Sequence, residues 1–291
     1  MAFLKTLNGA RKGTTSKGIS QLKKYLSYLG YLNHNNNTTP THNQTNDFFD
    51  DNLELAIKNY QAFFKLTVNG IMDPNTVEKM ASPRCGVPDV NLNTSNKLYL
   101  QIPTLASHYA FYPGKPKWPR TKRNLTYSFP YGTRSDVNQA ILHATQIWAF
   151  MSPLRFSYIE NYYNADIKIS FQYRDHGDGL AFDGPGGVVA HAFGPTDGTL
   201  HFDGDEWWVD GETPDAFDLQ TVGLHELGHV LGLDHTNDKG AIMYPYMPIG
   251  RRKVLGQDDI SGIKACIHFR PKQKRKKKNK VFLLYDNIIE D

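Results

Sequence analysis

His225-Glu-Leu-Gly-His-Val-Leu-Gly-Leu-Asp-His235 is the stretch on which the reading of this chain turns. On a helix, residues four apart share a face, so His225 and His229 present two imidazoles to one ion. Glu226 sits beside the first, within reach of a water at that ion. Gly232 permits a left-handed backbone, which ends the helix and swings the chain back, and His235 then supplies a third nitrogen. Three protein ligands leave the fourth tetrahedral position open, the arrangement of a catalytic rather than a structural zinc. A buried helix with incidental histidines accounts for a lone HExxH, but the extended form with Gly232 and His235 is far rarer by chance. Downstream, Ala241-Ile-Met243-Tyr-Pro245 supplies a methionine turn at a suitable distance.

Outward from that segment, the pattern is one of mixed strands and helices. Leu125–Phe129 reads as a strand, and Asp166–Tyr173 alternates like a half-buried one. Val137, Ile141, Ala144, Trp148 and Met151 form one helical stripe, with Asp136 as its cap and Pro153 beyond its end. A helix through residues 216–231 carries the histidines, and a last helix lies near Asp258–His268. The order suggests an α/β or α+β domain. Residues 19–81 read as a separate helical unit, with Leu22, Tyr25, Leu26 and Leu29 and then Leu53, Ile57, Tyr60 and Phe64 at helical spacing. A polar loop, NHNNNTTPTHNQTND, separates the two, and a third helix starts at Asp73-Pro74. Residues 82–117 carry Pro, Gly and Asn without a sustained period and read as a linker.

The formal charge of +4 on 291 residues is too small for a nucleic-acid binder, and its excess is local to Pro271–Lys280. That tail reads as a solvated segment. No apolar run is long enough to span a membrane. MAFLKTLNGARKG lacks the apolar core of a signal peptide, which leaves a missing start or another export route as alternatives. Sequons at Asn36, Asn37, Asn43, Asn93 and Asn124 are compatible with secretion. Two cysteines, Cys85 and Cys266, permit at most one disulfide. Arg120-Thr-Lys-Arg123 has the look of a convertase site, but it abuts the first strand and reads as a charged strand edge.

With these motifs in place, residues 19–268 resemble a matrix metalloproteinase (a matrixin, of the metzincin clan), most like the short plant-type members without a hemopexin domain. Pro83-Arg-Cys-Gly-Val-Pro-Asp89 matches that family's cysteine-switch motif. The resemblance implies an α+β fold: a five-stranded twisted mixed sheet with three helices, preceded by a helical propeptide similar to peptidoglycan-binding domains. It divides the chain into a propeptide (1–89), an activation linker (90–117), a catalytic domain (118–268) and a basic tail (269–291). It implies a secreted, monomeric, zinc-dependent endopeptidase made as a latent precursor. Glu226 is its general base, His225, His229 and His235 hold the catalytic zinc, and Cys85 is the inhibitory fourth ligand. Met243 is a floor beneath the histidines, and Pro245 is part of a pocket wall.

The resemblance also places a structural zinc on His176, Asp178, His191 and His201, and a calcium on Asp183, Gly184, Gly186, Val188, Asp203 and Glu206. A further calcium would fall on Asp166, although its partner loop Gly194–Gly198 is shorter than in animal members. Substrate would lie extended and antiparallel along Gly187–Ala190. The partners implied are peptide segments of extracellular proteins and the chain's own propeptide, with no stable membrane anchor. Pro245-Tyr246-Met247 departs from the family's usual Pro-x-Tyr, which alters the pocket wall. The rival readings are a wall-binding module, from the N-terminal helices, and an inactive scaffold. The second requires a lost ligand or a lost Glu226, and none is lost.

Overall fold

The computed structural model describes residues 3–32, 47–90 and 109–267. Residues 33–46 of the polar loop, four of the sequons (Asn36, Asn37, Asn43 and Asn93), the linker around Leu98 and the basic tail lie outside the described residues.

The N-terminal unit holds α1 (Phe3–Thr6), α2 (Ile19–Tyr28), α3 (Asp51–Phe63) and α4 (Pro74–Ala81). It starts earlier than the periodicity at residue 19 suggested. Leu4 and Leu7 are buried in the same core as Leu22, Leu26, Leu53 and Ile57, and a helix of four residues is too short to show a period. Side-chain caps set two of the starts. Asp50 accepts from Leu53 N–H at 2.8 Å ahead of α3, and Asp73 accepts from Thr76 N–H at 2.8 Å ahead of α4, whose first residue is Pro74.

Next come β1 (Arg84–Cys85), β2 (Ala110–Phe111), β3 (Asn124–Ser128), α5 (Ser135–Met151), β4 (Arg155–Tyr158) and β5 (Ile167–Gln172). They are followed by β6 (Val188–Ala192), β7 (Thr199–Asp203), β8 (Trp208–Val209), β9 (Phe217–Asp218), α6 (Leu219–Val230), β10 (Leu233–Asp234) and α7 (Gln257–Cys266). The segment read as linker therefore contributes two short strands, too short to carry a period of two. Asp136 is not the cap of α5. The N-cap is Arg134, and Asp136 lies in the first turn and bonds the Arg134 guanidinium.

The main sheet runs β1-β6-β7-β5-β3-β4, with β6 antiparallel to β7 and every other pairing parallel. Five of these strands form the twisted mixed sheet of the catalytic domain, and the sixth, β1, comes from the N-terminal unit. α5 and α6 pack together over the sheet. Gly223 makes room for Ile141, since a Cβ there would sit 2.6 Å from Ile141 Cδ1. Trp148 donates its indole N–H to the Leu224 carbonyl at 2.9 Å. That contact sets α6 with one face on the core and the other toward the edge strand β6.

Candidate active site

Asp218 starts α6 by accepting from Thr221 N–H at 3.0 Å, and every residue of the helix is buried. Gly232 follows with φ +103, and a Cβ there would lie 3.0 Å from the Pro116 carbonyl oxygen. Glycine thus serves both the left-handed turn and a close approach. The turn brings His235 back beside the helix.

Each imidazole is oriented from behind. His225 Nδ1 donates to the Ile242 carbonyl at 2.7 Å, His229 Nδ1 to the Leu233 carbonyl at 2.9 Å, and His235 Nδ1 to Asp89 Oδ1 at 2.9 Å. Their Nε2 lone pairs therefore face one another. Burial, then neighbouring imidazoles, holds His225 and His229 well below the ordinary histidine range, so both are neutral. His225 Nε2 and His229 Nε2 stand 3.1 Å apart, and Cys85 Sγ lies 3.6 Å from His229 Nε2. Around one tetrahedral zinc the N–N edge is about 3.3 Å and the N–S edge about 3.6 Å. Opposed lone pairs at such distances repel unless a cation lies between them. The four side chains have the spacing and the chemistry of a zinc site.

Cys85 arrives on β1, which inserts between the edge of β6 and the segment Pro245–Met247. Arg84 N–H donates to the Gly187 carbonyl at 2.7 Å, Cys85 N–H to Pro245 at 2.8 Å and Gly86 N–H to Ala190 at 2.8 Å. Met247 N–H donates to the Pro83 carbonyl at 3.0 Å. A side chain at Gly86 would strike Val188 and the Tyr28 hydroxyl, with Cβ at 2.6 and 2.8 Å. Arg84 clamps the loop through two bonds to Asp89, at 3.0 and 2.5 Å, with both side chains fully buried. Burial raises the Asp89 carboxyl, but Arg84 and His235 outweigh it and hold it down at about 2. Both cysteines are free thiols. Burial, then the Glu226 charge, pushes the Cys85 thiol well above its ordinary value. A thiolate there needs a cation beside it.

Glu226 is fully buried, and neither carboxylate oxygen has a hydrogen-bond partner. Burial pushes its carboxyl up to about 8. Met243 lies against the helix where Gly228 has no side chain; a Cβ there would be 2.3 Å from the Met243 sulfur. The methionine turn has an anchor that the motif did not reveal. Asp259 accepts from Ile242 N–H at 2.7 Å and Met243 N–H at 3.1 Å. Its neighbour Asp258 accepts from Tyr109 N–H at 2.7 Å instead. The adjacent acids thus have separate tasks, and only Asp258 meets the far end of the linker.

The second histidine group is as tightly drawn. Asp178 Oδ2 lies 2.9 Å from His176 Nε2, 2.8 Å from His191 Nε2 and 3.0 Å from His201 Nδ1. His191 and His201 are 3.2 Å apart, and His201 and His176 3.1 Å. These too are the edges of a small tetrahedron. Burial, only partly offset by Asp178, lowers His191 to about 4 and leaves it a neutral donor. Among the described residues, only these two groups bring three or more such ligand atoms within 4.8 Å of one another.

Asp183, Asp203 and Glu206 form a looser set. Asp183 Oδ1 accepts from Val188 N–H at 2.9 Å, and Glu206 Oε1 from Gly186 N–H at 2.5 Å. Asp203 Oδ2 is buried without a partner. Burial, then mutual repulsion with Asp203 and Asp183, pushes Glu206 up to about 7. Crowded acids of this kind suit a calcium ion. Gly184 and Gly186 turn the loop at φ +84 and +75. Among the described residues, Asp166 belongs to neither histidine group. Its carboxylate is taken by the Lys122 ammonium and by the Thr126 N–H and hydroxyl, the last two at 2.9 Å.

A buried three-imidazole cage, an adjacent unpaired carboxyl and a strand, β6, that pairs with an extended segment beside the cage define a metalloendopeptidase. Residues 117–267 match the family described as Matrixin, and residues 15–80 match the description Putative peptidoglycan binding domain. The chain is 41% identical to Metalloendoproteinase 1 of Glycine max over 268 residues, 89% of this chain and 85% of that protein. It is 42% identical to Metalloendoproteinase 5-MMP of Arabidopsis thaliana, over 88% of this chain and 73% of that protein. Interstitial collagenase of Bos taurus is 40% identical over 88% of this chain and 50% of that protein. The chain belongs to the matrixin family.

Proposed function

We propose that this protein is a latent zinc endopeptidase of extracellular proteins, held off by its own residues 83–89. The observation that carries this reading is the convergence of three neutral Nε2 atoms with Cys85 in the fourth position. Zinc bound there supplies acidified water and a polarised scissile carbonyl. His225, His229 and His235 hold the metal, with their far nitrogens fixed by Ile242, Leu233 and Asp89. Glu226 takes the proton of the attacking water and hands it to the leaving amine; the zinc charge beside it would hold the carboxyl ionised. The Gly187 and Ala190 carbonyls, now bonded to β1, hold the substrate backbone once β1 has left. β1 runs parallel to β6, so a substrate antiparallel to β6 passes through the cleft in the opposite sense. Misdirected in this way, the propeptide escapes cleavage.

The N-terminal unit grips the catalytic domain through Tyr244 and Tyr246, which lie in its core. Tyr60 and Tyr246 share a hydroxyl–hydroxyl bond, and the Lys79 ammonium sits 3.5 Å above the Tyr246 ring. Activation requires that Cys85 leave the fourth position; loss of this grip and a cut in the linker before Tyr109 then make it permanent. The test of the reading is cleavage of a peptide library after organomercurial treatment. Cleavage that a chelator abolishes and zinc restores is the expected result; chelator-resistant cleavage, or none, rejects it.

Metal content follows from the same reading. The activated protein is expected to hold about two zinc ions per chain, plus calcium at Asp183, Asp203 and Glu206. Calcium at a hundredfold excess over its Kd adds about 2.7 kcal/mol, a rise on the order of 5–10 °C in Tm for a domain of this size. In calcium-free protein the raised folded pKa of Glu206, about 7, costs stability as pH rises past the ordinary carboxyl value. The gain from calcium is therefore larger at pH 8 than at pH 5. A melting curve indifferent to calcium at both pH values removes the site.

A further inference from the structure

Tyr112 has no part in the family motifs, yet it stands at the centre of the site. It follows β2, which pairs antiparallel with β10, Phe111 opposite Leu233 and Ala110 opposite Asp234. β10 leads directly into His235, so β2 is fastened to the segment that carries the third imidazole. Tyr109 fixes the other end through Asp258 and through Gly262, where a Cβ would lie 2.8 Å from Tyr109 Cβ. Beyond β2 the chain turns at once, with Lys115 N–H donating to the Tyr112 carbonyl at 2.8 Å. The Tyr112 ring thereby lands 5.8 Å from the His229 ring, centroid to centroid. Its other side faces Gly194, where a Cβ would approach Tyr112 Cε2 to 3.1 Å. The hydroxyl is buried and has no hydrogen-bond partner. It remains a proton donor, in a place where nothing takes its hydrogen while Cys85 fills the cleft. A buried donor left unpaired costs free energy.

The direction of the substrate tells which part of it reaches this donor. Gly194 lies just past the C-terminal end of β6. A chain antiparallel to β6 places its N-terminal residues at that end. We propose that Tyr112 is a substrate-binding residue, whose hydroxyl donates to the peptide on the N-terminal side of the scissile bond and whose ring lines that side between His229 and Gly194. The proposal rests on the endopeptidase reading above. It also gives β2 a purpose: an activation cut that removes Tyr109–Phe111 would release Tyr112 from the site.

The test compares wild type and Tyr112→Phe, both as full-length chains activated by an organomercurial. Two peptides are used, one with three residues before the scissile bond and the other shortened to one. One ordinary hydrogen bond corresponds to about five-fold in binding. The expected result is a loss of about five-fold in kcat/KM for the long peptide, falling in KM, with a wild-type to variant ratio near one for the short peptide. The Kd of the long peptide, measured in a Glu226→Ala background, should weaken by the same factor. The latent Tyr112→Phe precursor should melt no lower than wild type, because the hydroxyl it loses has no partner. Equal rates on both peptides, or an equal loss on both, overturns the assignment. Because affinity is read without turnover, absence of cleavage would reject the endopeptidase reading while the Kd ratio still decides the role of Tyr112.

Discussion

Glu226→Ala is expected to lower peptide hydrolysis by the activated protein by about 10²–10⁴-fold, the usual contribution of a positioned proton-transfer group. Zinc content should not change. Glu226 makes no hydrogen bond that orients an imidazole; those bonds go to Ile242, Leu233 and Asp89. Removing it takes away a buried acid with no partner, not a support of the cage. Stability should therefore hold or rise, because a buried carboxyl without hydrogen bonds costs free energy. Glu226→Gln separates charge from shape: it keeps the volume, cannot accept the proton, and should be as inactive as alanine. The measurements are kcat on a fluorogenic peptide, zinc by elemental analysis and Tm. Near-normal turnover in a zinc-loaded variant would remove Glu226 from the proton path.

The convergence of His225, His229 and His235 was legible in the histidine segment, because helical spacing alone puts two imidazoles on one face and Gly232 fixes the return of the third. The helices of the N-terminal unit were legible for a similar reason, with apolar stripes and an Asp cap at Asp73, whereas the Asp50 cap of α3 was not read. Legibility failed where elements are short or distant. α1 has four residues, and β1 and β2 have two each, fewer than any period needs. Asp136 looked like a cap, but the cap lies two residues earlier, at Arg134, and Asp136 bonds the side chain of Arg134 instead. Asp166 looked like a cation ligand by resemblance. The cation it meets is Lys122, 44 residues away in sequence, and no local pattern announces such a pairing.

The remaining gaps are of one kind. Asp259 supporting the methionine turn, Asp89 orienting His235, Tyr60 against Tyr246 and Tyr112 beside His229 are all contacts between segments far apart in the chain. Asp89 is the most instructive. As part of a short motif it reads as the partner of Arg84, and that pairing is present. Its second bond, to His235 Nδ1 146 residues away, ties the Arg84–Asp89 loop to the third imidazole as well as to itself. Loss of the loop therefore leaves His235 Nδ1 to find water.

That double tie shapes the outcome expected for Cys85→Ser. The substitution exchanges a thiolate ligand for a neutral hydroxyl, a much poorer partner for zinc. The rest of the plug remains: the Arg84–Asp89 clamp, the bonds to Gly187, Pro245 and Ala190, and the aromatic grip on Tyr246. The loop should still dock, but it now competes with water and substrate for the open position. If the ligand bond is worth about 3 kcal/mol more than the hydroxyl's, the open fraction rises about a hundred-fold. The full-length Cys85→Ser precursor should therefore cleave peptide without added mercurial and should then process itself, while wild type stays silent until its thiol is blocked. Arg84→Ala attacks the same latch from behind. It strands the buried Asp89 charge, and breaking one side of such a buried pair typically costs 3–5 kcal/mol, so it too should open the precursor while Cys85 is intact. Activity is read on intact chains at the first time points, before any cut is visible on a gel. A wild-type precursor already fully active, or a Cys85→Ser precursor as silent as wild type, would end the latency mechanism and leave the protease assignment standing.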